Sequence, residues 1–124
     1  VCGGKMHPAG PLFFEPTLIT GLTPNARVFA EETFGPLAAI FKFNTEADVI
    51  RMANDTRFGL AAYAYTNDLG QAFRLSEGLE YGMVGINEPL LATEVAPFGG
   101  VKESGLGREG GYHGIEDYTV IKYT

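Results

Sequence analysis

The stretch Leu37-Ala38-Ala39-Ile40-Phe41-Lys42-Phe43-Asn44-Thr45-Glu46-Ala47-Asp48-Val49-Ile50-Arg51-Met52-Ala53 decides the fold class. Its first seven residues are apolar except Lys42, a length and composition that predict a buried strand. Thr45 then offers a helix N-cap with Asp48 three residues on, the capping-box spacing with Asp in place of Glu. Val49, Ile50 and Ala53 fall on one helical face, and the helix is expected to stop before Gly59. Further along, Leu60 to Thr66 reads as a second strand. Asn67 or Asp68 caps a second helix with the apolar stripe Leu69, Ala72, Phe73 and Leu79, and Met83 to Asn87 makes a third strand. Strand, helix, strand, helix, strand at these spacings predicts right-handed crossovers and a parallel sheet, the body of an α/β layer.

On the N-terminal side, residues 1–12 hold three Gly and two Pro and read as loop. Phe13 to Ile19 is a short extended segment interrupted by Pro16, hence an edge or irregular strand. Thr23-Pro24-Asn25-Ala26 reads as a turn or a short helix start. On the C-terminal side, Glu88 to Gly114 shows no periodicity of either kind, and the glycines concentrate at 99–114. A loop this long in a compact domain carries function or wraps a neighbour. Tyr118 to Thr124 alternates again and is rich in β-formers, so it is expected to pair outside the chain. There are no internal repeats and no low-complexity tracts.

The 124 residues, 45% hydrophobic and 19% charged, are enough for one globular domain with a modest core. No apolar run approaches the roughly 20 residues that span a bilayer. A net charge of −6 with nine scattered basic residues argues against a nucleic-acid partner. The single cysteine fits a reducing compartment, and a cytoplasmic location is expected. Val1-Cys2-Gly3-Gly4-Lys5 has no initiator Met and no signal pattern, and reads as a cut inside a longer protein.

Several motifs mimic chemistry without its context. Gly105-Leu106-Gly107-Arg108-Glu109-Gly110 matches G-x-G-x-x-G, but Lys102-Glu103-Ser104 stands where a strand belongs and only fourteen residues follow. Gly100 to Gly105 has P-loop spacing, yet Leu106 and Gly107 occupy the Lys and Ser/Thr positions. His7, His113 and Cys2 share no ligand spacing, so no metal is expected. Cys2 is flanked by Gly3-Gly4, which supplies neither base nor cation to activate a thiolate. No catalytic residue is assigned in this chain.

Glu31-Glu32-Thr33-Phe34-Gly35-Pro36 is more informative. A carboxylate on such a turn can accept both hydroxyls of a ribose diol, and the neighbouring aromatic can pack on a nicotinamide or adenine face. Read from the residues alone, the plainer account leads: solvated carboxylates and a core Phe34.

Glu31 to Pro36 and Pro97-Phe98-Gly99-Gly100-Val101-Lys102-Glu103-Ser104-Gly105-Leu106-Gly107-Arg108-Glu109 occur in this order with Phe14-Glu15-Pro16-Thr17 and Gly82-Met83-Val84-Gly85-Ile86-Asn87. Together they resemble the C-terminal quarter of the aldehyde dehydrogenase family, over essentially the whole chain. Glu94 to Gly100 and Ser104 to Gly110 are most similar to its succinate-semialdehyde group. The resemblance implies NAD- or NADP-dependent oxidation of an aldehyde to an acid, through a cysteine thiohemiacetal and a Glu-activated water. It implies that Glu32 binds the nicotinamide ribose, that Phe34 positions the ring, and that Phe98 lines the substrate tunnel. Asn87 resembles an architectural strand-end residue, and Gly99 and Gly100 a loop shaped by its backbone near that tunnel. It implies a catalytic-domain part over 1–114 and an oligomerisation strand over 115–124, with Tyr118 to Thr124 joining dimers or tetramers. The resemblance also implies an end a few residues beyond Thr124.

Three departures bear on this. The family's nucleophile, base and dinucleotide-binding domain belong before Val1. Ala92 stands where succinate-semialdehyde members often carry a Ser that grips the distal carboxylate, with Thr93 as a substitute. The choice between NAD and NADP is made elsewhere. Two other classes stay open at this point: a stand-alone assembly or inhibitory subunit using the end strand, and a non-catalytic nucleotide-binding module.

Overall fold

The computed structural model describes residues 2–124 and divides the chain into two compact units, one running to Thr45 and one from Glu46 on. The first holds strand β1 (Thr17–Ile19), the single-turn helix α1 (Arg27–Ala30) and strand β2 (Leu37–Ala39). The two strands are parallel, with Thr17 opposite Leu37 and Ile19 opposite Ala39. Pro16 sits just before β1, where its missing N–H removes no rung; the Thr17 N–H opens the ladder by donating to the Pro36 carbonyl at 2.8 Å. Thr17 is buried although polar because its hydroxyl is satisfied twice. It accepts from the Gly4 N–H and donates to the Glu15 carbonyl, each at 2.8 Å. Phe29 and Phe41 meet edge to face at 5.2 Å between centroids.

The second unit holds helix α2 (Glu46–Asn54), strand β3 (Ala61–Ala64), helix α3 (Leu69–Gly78) and strand β4 (Met83–Ile86). β3 and β4 are parallel with α3 as the crossover, in register from Ala61 opposite Met83 to Ala64 opposite Ile86. Asp68 is the cap of α3, accepting from the Gln71 N–H at 2.6 Å. α2 begins directly after Thr45. The two helices are joined by side chains. Glu46 accepts from Arg74 Nε at 2.6 Å and Nη2 at 2.9 Å, and from Gln71 Nε2 at 3.1 Å. Asn54 donates through Nδ2 to the Gly78 carbonyl at 2.7 Å and accepts from the Glu80 N–H at 2.9 Å. The Tyr81 hydroxyl donates to the Ala53 carbonyl at 2.6 Å, and burial raises its pKa above the ordinary tyrosine value.

The α/β reading holds in coarse form, with three corrections. β2 spans three residues and not the seven expected, and it takes β1 as partner, so the strands form two parallel pairs and no single three-stranded sheet. The stripe on α3 is displaced: Phe73 and Leu69 are exposed, and Leu75 is the buried hydrophobic among the described residues. The long loop carries two 3-10 turns, Lys102–Ser104 and His113–Tyr118, so Tyr118 closes a turn; residues 119–124 are in no ladder among the described residues. Much apolar surface is uncovered. Two separate bodies in the proportion of 45 and 79 residues would, at ordinary compactness, together expose about 7,700 Å². The chain exposes 9519 Å², with Phe34, Leu106, Val120, Ile121 and Tyr123 almost wholly bare. Among the described residues, no helix is long and apolar enough to cross a membrane.

Candidate functional site

In the first unit, Glu32 and Phe34 lie on the connection from α1 to β2. Glu31 closes α1, its N–H donating to the Arg27 carbonyl at 2.8 Å. Its carboxylate takes a two-pronged pair from Arg27, Nε at 3.1 Å and Nη2 at 2.9 Å, which holds its pKa below the ordinary carboxylate range. Glu32, next to it, is exposed, with no partner for its own oxygens among the described residues. Phe34 is 94% exposed, not core, and presents its ring to solvent ahead of the Gly35-Pro36 turn.

In the second unit, Asn87 ends β4 in the left-handed region at φ 57°. Its N–H donates to the Ala64 carbonyl at 2.8 Å. Its side-chain amide faces Thr66 twice: Oδ1 accepts the Thr66 N–H at 2.9 Å, and Nδ2 donates to the Thr66 carbonyl at 2.8 Å. The long loop then folds back on itself. Phe98 and Glu109 exchange both backbone bonds, at 2.6 Å and 2.8 Å. Gly111 N–H donates to the Glu94 carbonyl at 2.9 Å.

These pairings gather Ala92, Thr93 and Phe98 around an open concavity of about 350 Å³, completed by Glu94, Glu109 and Gly110. A second concavity, of about 280 Å³, shares Phe98 and Glu109 and includes Gly99 and Arg108 in its wall. Gly99 and Gly100 stand where no side chain fits. A Cβ on Gly99 would lie 2.7 Å from Arg108 Cδ, and one on Gly100 2.7 Å from Ser104 Cβ. The Arg108 guanidinium braces the turn through Nη1, donating to the carbonyls of Gly100 at 2.8 Å and Gly107 at 2.7 Å.

The residues singled out in sequence therefore fall in two groups. Ala92, Thr93 and Phe98 share one wall, Gly99, Gly100 and Asn87 shape the backbone of the same unit, and Glu32 and Phe34 belong to the other unit. Sequence reasoning gave Glu94, Glu109 and Gly110 no place in that wall. The only local trace is Gly110, at φ 72°; the pairing of Phe98 with Glu109 across ten intervening residues has no periodic signature. Cys2 forms an isolated antiparallel bridge with Leu18 and is exposed. Among the described residues, no group of three or more His, Cys, Asp or Glu is placed to hold a metal ion.

The sequence profile of the aldehyde dehydrogenase family matches residues 1–124, and the chain belongs to that family. It is 66% identical over its whole length to a succinate semialdehyde dehydrogenase of Acinetobacter baylyi, and 61% identical over 123 residues to a glutarate-semialdehyde dehydrogenase of Pseudomonas aeruginosa. It spans 26% of the length of each of these curated relatives. Among solved structures, the succinate-semialdehyde dehydrogenase of Burkholderia pseudomallei superposes on the whole chain with a TM-score of 0.95 at 60% identity, over 26% of its own length. A betaine aldehyde dehydrogenase of Staphylococcus aureus in complex with NAD+ superposes on 96% of the chain, and over 24% of its own, with a TM-score of 0.90 at 41% identity.

Proposed function

We propose that the protein carrying this sequence is an NAD- or NADP-dependent aldehyde dehydrogenase that oxidises a carboxylated semialdehyde, succinate or glutarate semialdehyde, to the acid. The observation that carries this is the wall of Ala92, Thr93 and Phe98 around one concavity, in a chain 66% identical to a succinate semialdehyde dehydrogenase. In this reading Phe98 packs on the carbon chain of the substrate, and Thr93 offers a hydroxyl to its distal carboxylate where Ala92 has none.

The residues present fit a dinucleotide. With Arg27 committed to Glu31, both Glu32 oxygens are free to accept the two hydroxyls of a ribose. The bare Phe34 ring offers an apolar face next to it. When bound, NAD or NADP supplies the hydride acceptor; Glu32 would hold its nicotinamide ribose and Phe34 would fix the ring's attitude.

The same reading assigns the nucleophilic cysteine and the base to other parts of the protein, so the 124-residue chain by itself is inactive. It assigns residues 1–114 to the catalytic domain and 115–124 to the oligomerisation segment expected over Tyr118 to Thr124, in which Tyr118 closes the 3-10 turn and residues 119–124 would add to a neighbouring copy in a cytoplasmic dimer or tetramer. The exposed Val120, Ile121 and Tyr123 support that last step.

The test is dinucleotide reduction by the protein that carries this sequence, with succinate semialdehyde, glutarate semialdehyde and an uncharged aldehyde of equal length. Higher kcat/KM for the two acids is expected, together with a raised dinucleotide KM in Glu32→Gln. Preference for the uncharged aldehyde would refute the substrate class, and no reduction with any aldehyde would refute the activity.

A further inference from the structure

The geometry points to Lys102 as a positioning residue: its ammonium ties the loop 99–108 to the C-terminal end of α2 and thereby sets where Phe98 stands in the wall of the concavity. This rests on the aldehyde-site reading of that concavity. Lys102 itself does not line the wall.

Two independent observations support the assignment. The first is backbone strain. Lys102 sits at φ 54°, the left-handed region, where the loop elsewhere uses Gly105, Gly107 and Gly110. A non-glycine residue persists there only when its surroundings over-determine it. The second is what over-determines it. Lys102 Nζ donates to the Asn54 carbonyl at 2.9 Å and the Thr56 carbonyl at 3.2 Å, and pairs with the Glu80 carboxylate at 2.6 Å. Three partners fill the three donors of the ammonium, and its side chain is only 25% exposed. Asn54 is the last residue of α2, so the cation also meets the negative end of that helix.

The path from Lys102 to Phe98 has little slack. Around it, the Val101 N–H donates to the Gly59 carbonyl, and the Ser104 hydroxyl oxygen accepts the Gly59 N–H, both at 2.9 Å. Gly100 is buried against Ser104, and Gly99 lies against Arg108. Phe98, next in line, is gripped from its other side by Glu109. A rotation of the Lys102 turn therefore passes to Phe98 through Val101, Gly100 and Gly99, each held against a neighbour.

The test compares Lys102→Met, Lys102→Arg, Glu80→Gln, Phe98→Ala and the Lys102→Met/Phe98→Ala double variant in the protein that carries this sequence, each by kcat and by KM for aldehyde and dinucleotide. Lys102→Met should raise the aldehyde KM about tenfold, the low end of what a lost apolar pocket contact costs, and leave the dinucleotide KM unchanged. Lys102→Arg, still a donor to both carbonyls, should recover most of it. Glu80→Gln, which keeps Lys102 in place with one weaker partner, should give a smaller rise of about threefold. With Phe98→Ala already present, Lys102→Met should raise KM no further, because the two act through one another. A purely structural role would lower kcat with the amount of folded protein, leave KM unmoved and add to Phe98→Ala; that result overturns the proposal. If Lys102→Met does not fold, an unmoved aldehyde KM in Glu80→Gln overturns it equally. A wild-type protein that oxidises no aldehyde overturns the aldehyde reading and this inference with it. An active wild type with a normal KM in the lysine variants overturns the inference alone.

Discussion

Replacing Asn54 by alanine should loosen the joint between the ends of α2 and α3 by an amount the structure lets us work out. The side chain makes two bonds there, Nδ2 to the Gly78 carbonyl at 2.7 Å and Oδ1 from the Glu80 N–H at 2.9 Å. Each contributes about 0.5–1.5 kcal/mol net, and the better helix propensity of alanine offsets roughly 0.5 kcal/mol. The expected loss is about 0.5–2.5 kcal/mol, which speeds exchange of the Glu80 amide by roughly two- to seventyfold where exchange follows local opening. Amide hydrogen exchange read residue by residue measures this directly. The Leu79 N–H, bonded to the Leu75 carbonyl at 3.0 Å inside the last turn of α3, serves as the internal reference. Asn54→Asp sharpens the test. It keeps an acceptor for Glu80 but sets an oxygen against the Gly78 carbonyl, so Glu80 should stay protected while the helix end frays. Glu80 exchange within about twofold of wild type in Asn54→Ala would refute the reasoning, because it would mean that water replaces the side chain at no cost.

Gly82→Ala should lower stability by about 1–3 kcal/mol, seen as a lower melting temperature. The new Cβ would run into the Gly99 carbonyl, and the Gly82 N–H, bonded to the Gly59 carbonyl at 2.9 Å, cannot retreat. An unchanged melt would show that the loop yields. The Glu46 pKa is lowered chiefly by its hydrogen bond with Arg74, so its stabilisation is present above the ordinary carboxylate value of 4.5 and is lost as pH falls through the lower, folded value. Glu46→Gln should therefore flatten the acid side of the stability profile and leave the neutral side lower; an unaltered acid slope would count against the pair. Tyr81 has the opposite sign. Its pKa is raised by burial, so its contribution is full below the ordinary value of 10.0 and is lost as pH rises through the folded one. Tyr81→Phe should remove part of the alkaline fall in stability, at the expense of the bond to Ala53, and a denaturation series above pH 10 reads it.

Local signals in the sequence located the helices well and the pairings less well. Asp68, Gly59 and the Val49, Ile50, Ala53 face act within one turn of chain, and α2, β3, α3 and β4 appear where those residues put them. The partner of β2 does not follow from local pattern. Pro16 made the preceding segment look irregular, yet a proline just ahead of a strand removes no rung, and β1 was available. The apolar run 37–43 looked like a central strand because it is hydrophobic throughout; the chain leaves Ile40 and Phe43 exposed instead. The same exposure explains the misplaced stripe on α3: Leu69 and Phe73 are apolar without being covered here. In the site, the motif around Phe98 marked the wall, but Glu109 joins it only through long-range backbone bonds and Lys102 acts from outside it. Neither relation leaves a repeat in the sequence.

Asn87 adds a chemical dimension to the end of the β3–β4 ladder. Its carboxamide bonds to Thr66 as one peptide group bonds to another, so the last rung is made by a side chain. A peptide is durable, whereas a side-chain amide is open to slow hydrolysis. Conversion to the acid would set an oxygen in place of Nδ2 against the Thr66 carbonyl, turning a donor into a repelling acceptor. A protein deamidated at Asn87 would carry an added negative charge and a frayed strand end there.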